Sequence, residues 1–167
     1  MTAAGGNAKI RRDSRPTDPG GATMFKRILV PTDGSELSGR AVTTAINLAK
    51  TVGAEIFTLC VKEPFPYGAV AEMQPTPPQE FFDAQERTAT KHVRAVADAC
   101  EAAGIVCHAQ TVEGLQPWEA IVAHAAAQHC DLLVMGSHGR SGFASLFLGS
   151  ETHDVLKHTT VPVLVVR

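Results

Sequence analysis

A glycine-spaced segment between an apolar run and a predicted helix is the part of this chain best suited to chemistry. Its spacing is G-x2-G-x9-G-S, formed by Gly136, Gly139, Gly149 and Ser150. Glycines let main-chain N–H groups approach an anion closely, and a helix N-terminus adds unsatisfied donors and a positive dipole end. The pattern therefore predicts a phosphate-binding loop. Because the spacing is neither G-x-G-x-x-G nor G-x4-G-K-[ST], it disfavours a dinucleotide site and ordinary P-loop chemistry.

The seven histidines raise the alternative of a metal site. Their spacing disfavours it, because His124 and His129 are five residues apart, as are His153 and His158, and this interval does not place a pair on one helical face. His138 lies inside the glycine-rich segment. A contact to phosphate or ribose and simple solvent exposure both remain open for it.

Composition and charge limit the class of protein. A chain of 167 residues suits one domain with a sizeable core. The net charge of −2 argues against a surface that coats nucleic acid, and no apolar run is long enough to span a membrane. The four cysteines lie in apolar segments without a C-x-x-C pair, which predicts buried thiols and a cytoplasmic protein rather than a disulfide framework.

Strand-like and helix-like segments alternate after a polar beginning. Residues 1–23 carry glycine, proline and charge with one isolated apolar residue, which predicts a mobile tail before a domain at 24–167. Hydrophobic periodicity predicts five strands separated by four helices. The predicted strands are 28–30, 56–61, 106–112, 132–135 and 161–166. Near-continuous apolar strands joined by helices predict an open parallel sheet, covered on both faces, with strand order 3-2-1-4-5.

This strand order brings two loops together. Ligands of such sheets bind beyond the carboxyl ends of the strands, where the strand order reverses. The loop at 31–35 and the glycine-rich segment should meet there. Asp33 in the first loop is explained by turn and helix-cap chemistry alone, but its expected position opposite the glycines favours contact with a ligand.

Three segments together make the chain resemble a universal stress protein of the UspA family. They are ILVPTDGS at 28–35, the G-x2-G-x9-G-S segment, and VPVLVV at 161–166. The resemblance covers nearly all of 25–167. It implies a single-domain α/β fold that is Rossmann-like and adenine nucleotide alpha-hydrolase-like. It also implies the ATP-binding branch, since the other branch lacks the glycine loop.

The resemblance implies a set of contacts at the base and sugar end of the nucleotide. Asp33 would face the ribose and adenine, and Pro31 and Thr32 would line the same pocket. Val61, at the end of the second strand, would contact adenine through its backbone.

A second set of contacts is implied beside the sugar and phosphates. Met135 would pack near the sugar or base, and Gly136 and Gly139 would lie beside the ribose and phosphates. Gly149, together with the hydroxyl and amide of Ser150, would bind the outer phosphates.

Glu151 departs from the family pattern, which commonly has a small or apolar residue after the serine. A carboxylate in the first turn suits the helix dipole but repels a triphosphate. Arg140 and Lys157 are the cations that would offset this repulsion. ATP, ADP and AMP all remain open as ligands, with Mg²⁺ entering through the phosphates.

Two further segments bear on assembly. The apolar strand 161–166 would be a sticky edge, and the resemblance implies that two subunits pair these strands antiparallel in a homodimer. Pro162 removes one ladder donor, so the pairing should depend on the residues after it. The proline-rich segment 63–79 is longer than a usual connection, and both a flap over the pocket and disorder remain open for it.

The leading hypothesis is a cytoplasmic homodimer that binds ATP and signals its occupancy to a partner protein in a stress response. The glycine loop has no P-loop lysine and no set of residues for phosphoryl transfer, so any ATPase activity should be slow. Two alternatives stay open: an interaction module without nucleotide, which Glu151 favours, and a slow ATP hydrolase. The sequence does not specify the stress, the partner, or dimer against tetramer.

Overall fold

The computed structural model describes residues 24–64, 79–137 and 148–167. Within these ranges five strands alternate with four helices. The strands are β1 (Arg27–Leu29), β2 (Glu55–Lys62), β3 (Cys107–Glu113), β4 (Leu132–Gly136) and β5 (Val163–Val166). The helices are α1 (Glu36–Val52), α2 (Gln79–Ala102), α3 (Pro117–Ala127) and α4 (Ser150–His158). None of these helices is long and apolar enough to cross a membrane.

Some predictions lie outside the described residues. These are the mobile tail at 1–23, most of the proline-rich segment 63–79, and the contacts of His138, Gly139 and Arg140.

The strands form one parallel sheet in the order β3-β2-β1-β4-β5. The predicted α/β class and strand order are therefore confirmed. All five strands differ from the predicted bounds by one or two residues at one or both ends. Strand β1 begins and ends one residue earlier than 28–30, and β5 begins at Val163 rather than Val161. The later start of β5 follows from Pro162, which has no N–H to donate to a sheet ladder.

Two hydrophobic clusters cover opposite faces of the sheet. In β4, Leu132 and Val134 point into the cluster beneath α1 and α2, whereas Leu133 and Met135 point into the cluster beneath α3 and α4. Successive strand residues face opposite sides, so an almost wholly apolar strand must be covered twice. The arrangement confirms the predicted helices on both faces of the sheet.

The amino end of the sheet is held by one carboxylate. The two side-chain oxygens of Asp131 accept the backbone N–H groups of Lys26 and Arg27 at 2.8 and 3.1 Å. The Asp131 N–H in turn donates to the Arg27 carbonyl at 2.9 Å. These bonds set the register of β1 against β4 at the point where the two strands begin. The register then determines what meets at the opposite, carboxyl edge.

His124 is a buried polar residue on α3. Its side chain is 9% exposed, and its Nε2 has no hydrogen-bond partner among the described residues. Burial lowers the pKa of this imidazole below its ordinary value of 6.5, because the charged form loses its hydration. The folded protein therefore holds His124 neutral, whereas the unfolded chain can protonate it.

Acidification should consequently destabilise the fold through His124. Below about pH 6.5 the unfolded state binds a proton that the folded state resists, so the free energy of unfolding falls as the pH falls. Replacing His124 by Leu removes this titration, so the free energy of unfolding should fall less as the pH falls. Urea unfolding at about pH 7.5 and about pH 5.5 measures it, with the exposed His153→Gln as the matched control. An unchanged pH slope in His124→Leu would show that other groups cause the acid sensitivity.

Candidate functional site

The strand register brings two predicted contact positions, Asp33 and Val61, to the same end of the sheet as Ser137, which follows the predicted contact Gly136. One paired row crosses β1, β2 and β4 and consists of Leu29, Phe57 and Leu133. Asp33, Val61 and Ser137 each lie four residues beyond a member of that row. The turn after β1, the end of β2 and the start of the glycine-rich segment therefore meet at the carboxyl edge. This edge is also where the strand order reverses, between β1 and β4.

The chain keeps pairing with β2 for three residues beyond Leu29, the last residue of β1. The Val30 N–H donates to the Phe57 carbonyl at 2.8 Å, and the Thr32 N–H donates to the Leu59 carbonyl at 2.9 Å. Pro31 lies between these two donors and faces away from β2, so its lack of an N–H does not interrupt the pairing with β2. The chain leaves the sheet only after Thr32, directly before Asp33.

Side chains build the turn that presents Asp33. Its Oδ1 accepts the Ser35 N–H at 3.0 Å, which is the geometry of an Asx turn. The buried Thr32 hydroxyl accepts the Gly34 N–H at 3.3 Å, and the Ser35 hydroxyl caps α1 by accepting the Ser38 N–H at 3.2 Å. The structural role expected of Asp33 is therefore present. The same hydrogen bond restricts the orientation of the Asp33 carboxylate.

His92 of α2 packs directly on this turn. Gly34 has a φ of +76°, and a Cβ placed there would lie 2.3 Å from the His92 Nε2. On its other side, the His92 Nδ1 lies 3.9 Å from the Cys60 Sγ. The sequence reasoning missed His92. Its signal was the position of a polar residue within the apolar stripe of α2, between Ala89 and Val93.

The loop after β3 packs against the end of β2. A Cβ at Gly114 would lie 3.3 Å from the Val61 Cγ1 and 3.3 Å from the Ala120 Cβ, so only glycine fits without displacement. The Gly114 N–H donates to the Lys62 carbonyl at 3.2 Å. Val61 is half-buried and packs into the cluster beneath α3 and α4. This close approach gives the end of β2 an apolar wall.

Lys62 beside this wall is engaged by two carboxylates. Its Nζ lies 2.5 Å from Glu86 of α2 and 3.3 Å from Glu113 of β3. The hydrogen bond to Glu86 is the main reason why the pKa of Lys62 is raised. The ammonium therefore joins the end of β2 to α2 and to the outer strand β3.

The two ends of the glycine-rich segment meet at the end of β4. The Gly149 N–H donates to the Ser137 carbonyl at 2.8 Å, and the Thr152 hydroxyl donates to the Gly136 carbonyl at 2.9 Å. The chain between Ser137 and Gly149 thus leaves and returns at one point. The Gly149 amide is used in this closure, while Met135 is buried in the core cluster beneath α3 and α4.

Helix α4 begins at this closure. Its first residue, Ser150, is exposed, and the first helical bond runs from the His153 N–H to the Gly149 carbonyl at 2.9 Å. Helix geometry leaves the amides of 150–152 without intrahelical acceptors and adds the positive end of the dipole. These donors lie at the carboxyl edge of the sheet, beside the ends of β1 and β4.

The carboxylate of Glu151 has a partner on another helix. Its Oε2 accepts the Trp118 N–H at 2.9 Å, at the start of α3, where Gln116 supplies no side-chain cap. Glu151 therefore satisfies one of the unpaired amides of α3. Lys157 lies in the last turn of α4 and pairs with Asp154 at 3.7 Å, so it is not placed to neutralise a phosphate at the first turn.

Within the described ranges, no three His, Cys, Asp or Glu side chains form a group that could hold a metal ion. The predicted contact residues Pro31, Thr32, Asp33 and Val61 lie at the sheet edge together with Gly136, Gly149 and Ser150. Gly139 and Arg140 are outside the described residues.

Comparison with known proteins decides the family. The sequence profile of the Universal stress protein family matches residues 24–167. The chain belongs to the universal stress protein family. It is 36% identical over 148 residues to Universal stress protein MJ0531 of Methanocaldococcus jannaschii, covering 88% of this chain and 85% of that protein. It is 33% identical over 149 residues to Universal stress protein YxiE of Bacillus subtilis, covering 86% and 100% respectively.

Solved structures of universal stress proteins and their relatives have a similar fold. The match to hypothetical protein MJ0577 has a TM-score of 0.70 at 29% identity and covers 86% of this chain and 96% of that one. The match to a universal stress protein solved in complex with cAMP has a TM-score of 0.64 at 26% identity and covers 86% and 98%. The family predicted from the three sequence segments is confirmed.

Proposed function

We propose that this universal stress protein binds an adenine nucleotide, with ATP as the main ligand, at the carboxyl edge between β1 and β4. The observation that carries the proposal is that Asp33, Val61 and Ser137 each follow the paired row of Leu29, Phe57 and Leu133 by four residues, at the carboxyl ends of adjacent strands. An acidic turn, an apolar wall and a helix N-terminus converge there, and they suit ribose, adenine and phosphate respectively. The relative solved with cAMP supports a ligand of the same chemical class.

The phosphate end of the site would rest on α4. The amides at its start that have no intrahelical acceptor, the Ser150 hydroxyl and the dipole suit an anion. Gly149 would contribute through its position and not through its amide, which donates to the Ser137 carbonyl. Gly136, Gly139, Arg140 and Met135 complete the proposed contacts, and Mg²⁺ would enter bound to the phosphates.

The contact that Glu151 makes with α3 weakens the case for the nucleotide-free alternative. Glu151 favoured it because a first-turn carboxylate repels a triphosphate, but the bond to the Trp118 N–H gives this residue a structural role. No arrangement of the described residues supports the slow-hydrolase alternative. Steady-state phosphate release that disappears in Asp33→Ala would support it.

Thermal shift of the purified chain tests nucleotide binding. ATP with Mg²⁺ at about a hundred times its Kd should raise the Tm by about 5–10 °C, because a ligand that binds only the folded state adds about 2.7 kcal/mol at that excess. The Tm shifts with ADP, AMP and cAMP, compared with that of ATP, show how much each phosphate contributes to binding. The shift with GTP shows whether the site distinguishes adenine from guanine. Mass spectrometry of nucleotide released on denaturation identifies what the protein carries. If millimolar ATP leaves the Tm of nucleotide-free protein unchanged, the result would favour the interaction module.

We also propose that two copies pair through β5, and that occupancy is signalled by the dimer or to a partner protein in the cytoplasm. The carbonyls of Pro162 and Val166 accept the N–H groups of Leu133 and Ser137 at 2.9 and 2.8 Å, so the even-numbered residues of β5 face β4. Val163 and Val165 therefore present their N–H and C=O groups to the outer edge. The donor that Pro162 lacks would have faced β4, so the proline leaves the outer edge intact.

A further inference from the structure

His92 of α2 lies between two parts of the proposed nucleotide site. Its side chain is half-buried. A Cβ at Gly34 would come within 2.7 Å of the Nε2, Cδ2 and Cε1 atoms, so this corner of the imidazole is directed at the glycine. The Nδ1 atom lies 3.9 Å from the Sγ of Cys60, the residue before Val61 in β2. One ring therefore contacts both the acidic turn and the end of the strand that forms the apolar wall.

The helix that carries His92 is joined to the sheet on the same side. The Glu86 carboxylate accepts hydrogen bonds from Lys62 of β2 and from the Thr111 hydroxyl of β3. Farther along α2, a small buried cluster joins the helix to β2, and its members are Cys60, Ala89 and Val93. Because these contacts hold α2 against the strands, the ring of His92 is supported by the scaffold and not by its rotamer alone.

The turn after β1 gains from support by another segment. The Gly34 N–H donates to the Thr32 hydroxyl at 3.3 Å, and the Ser35 N–H donates to the Asp33 carboxylate at 3.0 Å. Both bonds join residues two positions apart in the chain, so they shape the turn without tying it to the sheet. Contact with a helix that is itself joined to the sheet can hold the turn in one place.

We propose that His92 is a positioning residue of the nucleotide site, whose ring holds the turn so that the Asp33 carboxylate is presented to the ribose. This inference rests on the proposed function. It gives α2, a helix that carries none of the predicted contacts, a part in nucleotide affinity. The effect passes through Asp33, so His92 acts on the ligand through another residue.

Removal of the ring should lower the fraction of molecules whose turn is ready to bind. The apparent Kd of a ligand is its intrinsic Kd divided by the fraction of the protein in the competent conformation. If about a tenth of the molecules keep the competent turn, the Kd for ATP rises about tenfold. Glycine at position 34 permits the contact, because its φ of +76° and the closeness of the ring both disfavour a Cβ there.

Titration calorimetry with ATP and Mg²⁺ measures this effect. We expect His92→Ala to bind about tenfold more weakly than the parent. His92→Gln should restore most of the affinity, since its amide extends as many bonds beyond Cβ as the imidazole Nε2. Lys91→Ala removes an exposed side chain from the neighbouring position of the same helix and is the matched control. Urea unfolding checks that each variant is folded.

A double-mutant cycle shows whether the effect passes through Asp33. Asp33→Ala has no carboxylate to position, so the addition of His92→Ala should change its ATP affinity by less than about threefold. Equal losses in the parent and in the Asp33→Ala background would show that His92 acts elsewhere, and would overturn the proposal.

Amide hydrogen exchange of the nucleotide-free protein measures the turn directly. The Ser35 N–H, which donates to Asp33, should exchange about tenfold faster in His92→Ala, while the amides in the middle of α1 keep the parent rate. An unchanged rate at Ser35 would overturn the proposal.

The parent protein separates this inference from the function on which it rests. A parent that does not bind ATP would refute the proposed function, and the role of His92 with it. A parent that binds ATP, but no more tightly than His92→Ala does, would overturn the role of His92 alone.

Discussion

Replacement of Asp33 by Asn is expected to weaken ATP binding by about ten- to a hundredfold, because a charge-assisted hydrogen bond to the ribose hydroxyls becomes a neutral one. The fold should change little. The amide oxygen of Asn can still accept the Ser35 N–H, which Asp33 Oδ1 accepts at 3.0 Å, so the turn before α1 is retained. Titration calorimetry with ATP and Mg²⁺ measures the affinity, and urea unfolding checks the stability.

Two further variants make this test specific. Asp33→Ala also removes the acceptor of the turn, so it should lose about 1 kcal/mol of stability in addition to affinity. Asp98→Asn removes a carboxylate from an exposed position on α2 and is the matched control for net charge. If Asp33→Asn binds ATP as tightly as the parent, Asp33 serves the turn alone and the ribose contact is wrong.

Replacement of Val165 by Pro is expected to convert the proposed dimer to monomer. Proline removes the outward N–H of this residue and puts its ring where a partner strand would approach, while the β4-facing Leu164 keeps its N–H. Each dimer contains the change twice, so the loss of two ladder hydrogen bonds at about 1 kcal/mol each weakens the dimer Kd by about thirtyfold, before the clash of the ring is added. Light scattering after size exclusion and sedimentation velocity measure the mass.

Val165→Ala is the control for this variant, since it shortens the side chain but leaves the N–H in place. It should stay dimeric or weaken only slightly. Circular dichroism of Val165→Pro must show a folded chain, because the N–H of this residue points away from β4. A dimeric Val165→Pro would locate the interface elsewhere, and a monomeric parent would remove the proposal altogether.

Most of the architecture was predictable because it depends on local patterns. Apolar runs and helical periodicity identified the strands and helices, and near-continuous apolar strands required a parallel sheet covered on both faces. The order 3-2-1-4-5 then placed Asp33 and the glycine-rich segment at one edge, as the register shows. The nucleotide contacts themselves remain predictions, those of Gly139 and Arg140 among them.

Sequence reasoning missed two contacts between helices and distant segments. Each involves a residue type that fits several roles within its own helix, so its type does not reveal the partner. Glu151 reads as a first-turn acid of its own helix, yet its carboxylate caps α3 by accepting the Trp118 N–H. His92 reads as one polar residue in an apolar stripe, yet its ring lies against Gly34. In each case the partner is distant in the chain, and helix packing alone selects it.

The sequence by itself determined the succession of strands and helices and the ends of the strands at which a ligand could bind, because these follow from periodicity and from residues adjacent in the chain. Three short segments were enough to predict the family. Only the tertiary structure decided that the backbone of Pro162 faces β4 and not the outer edge, and where the Glu151 carboxylate points. Side-chain direction depends on register and on helix rotation over the sheet, and these are settled by the packing of the whole core.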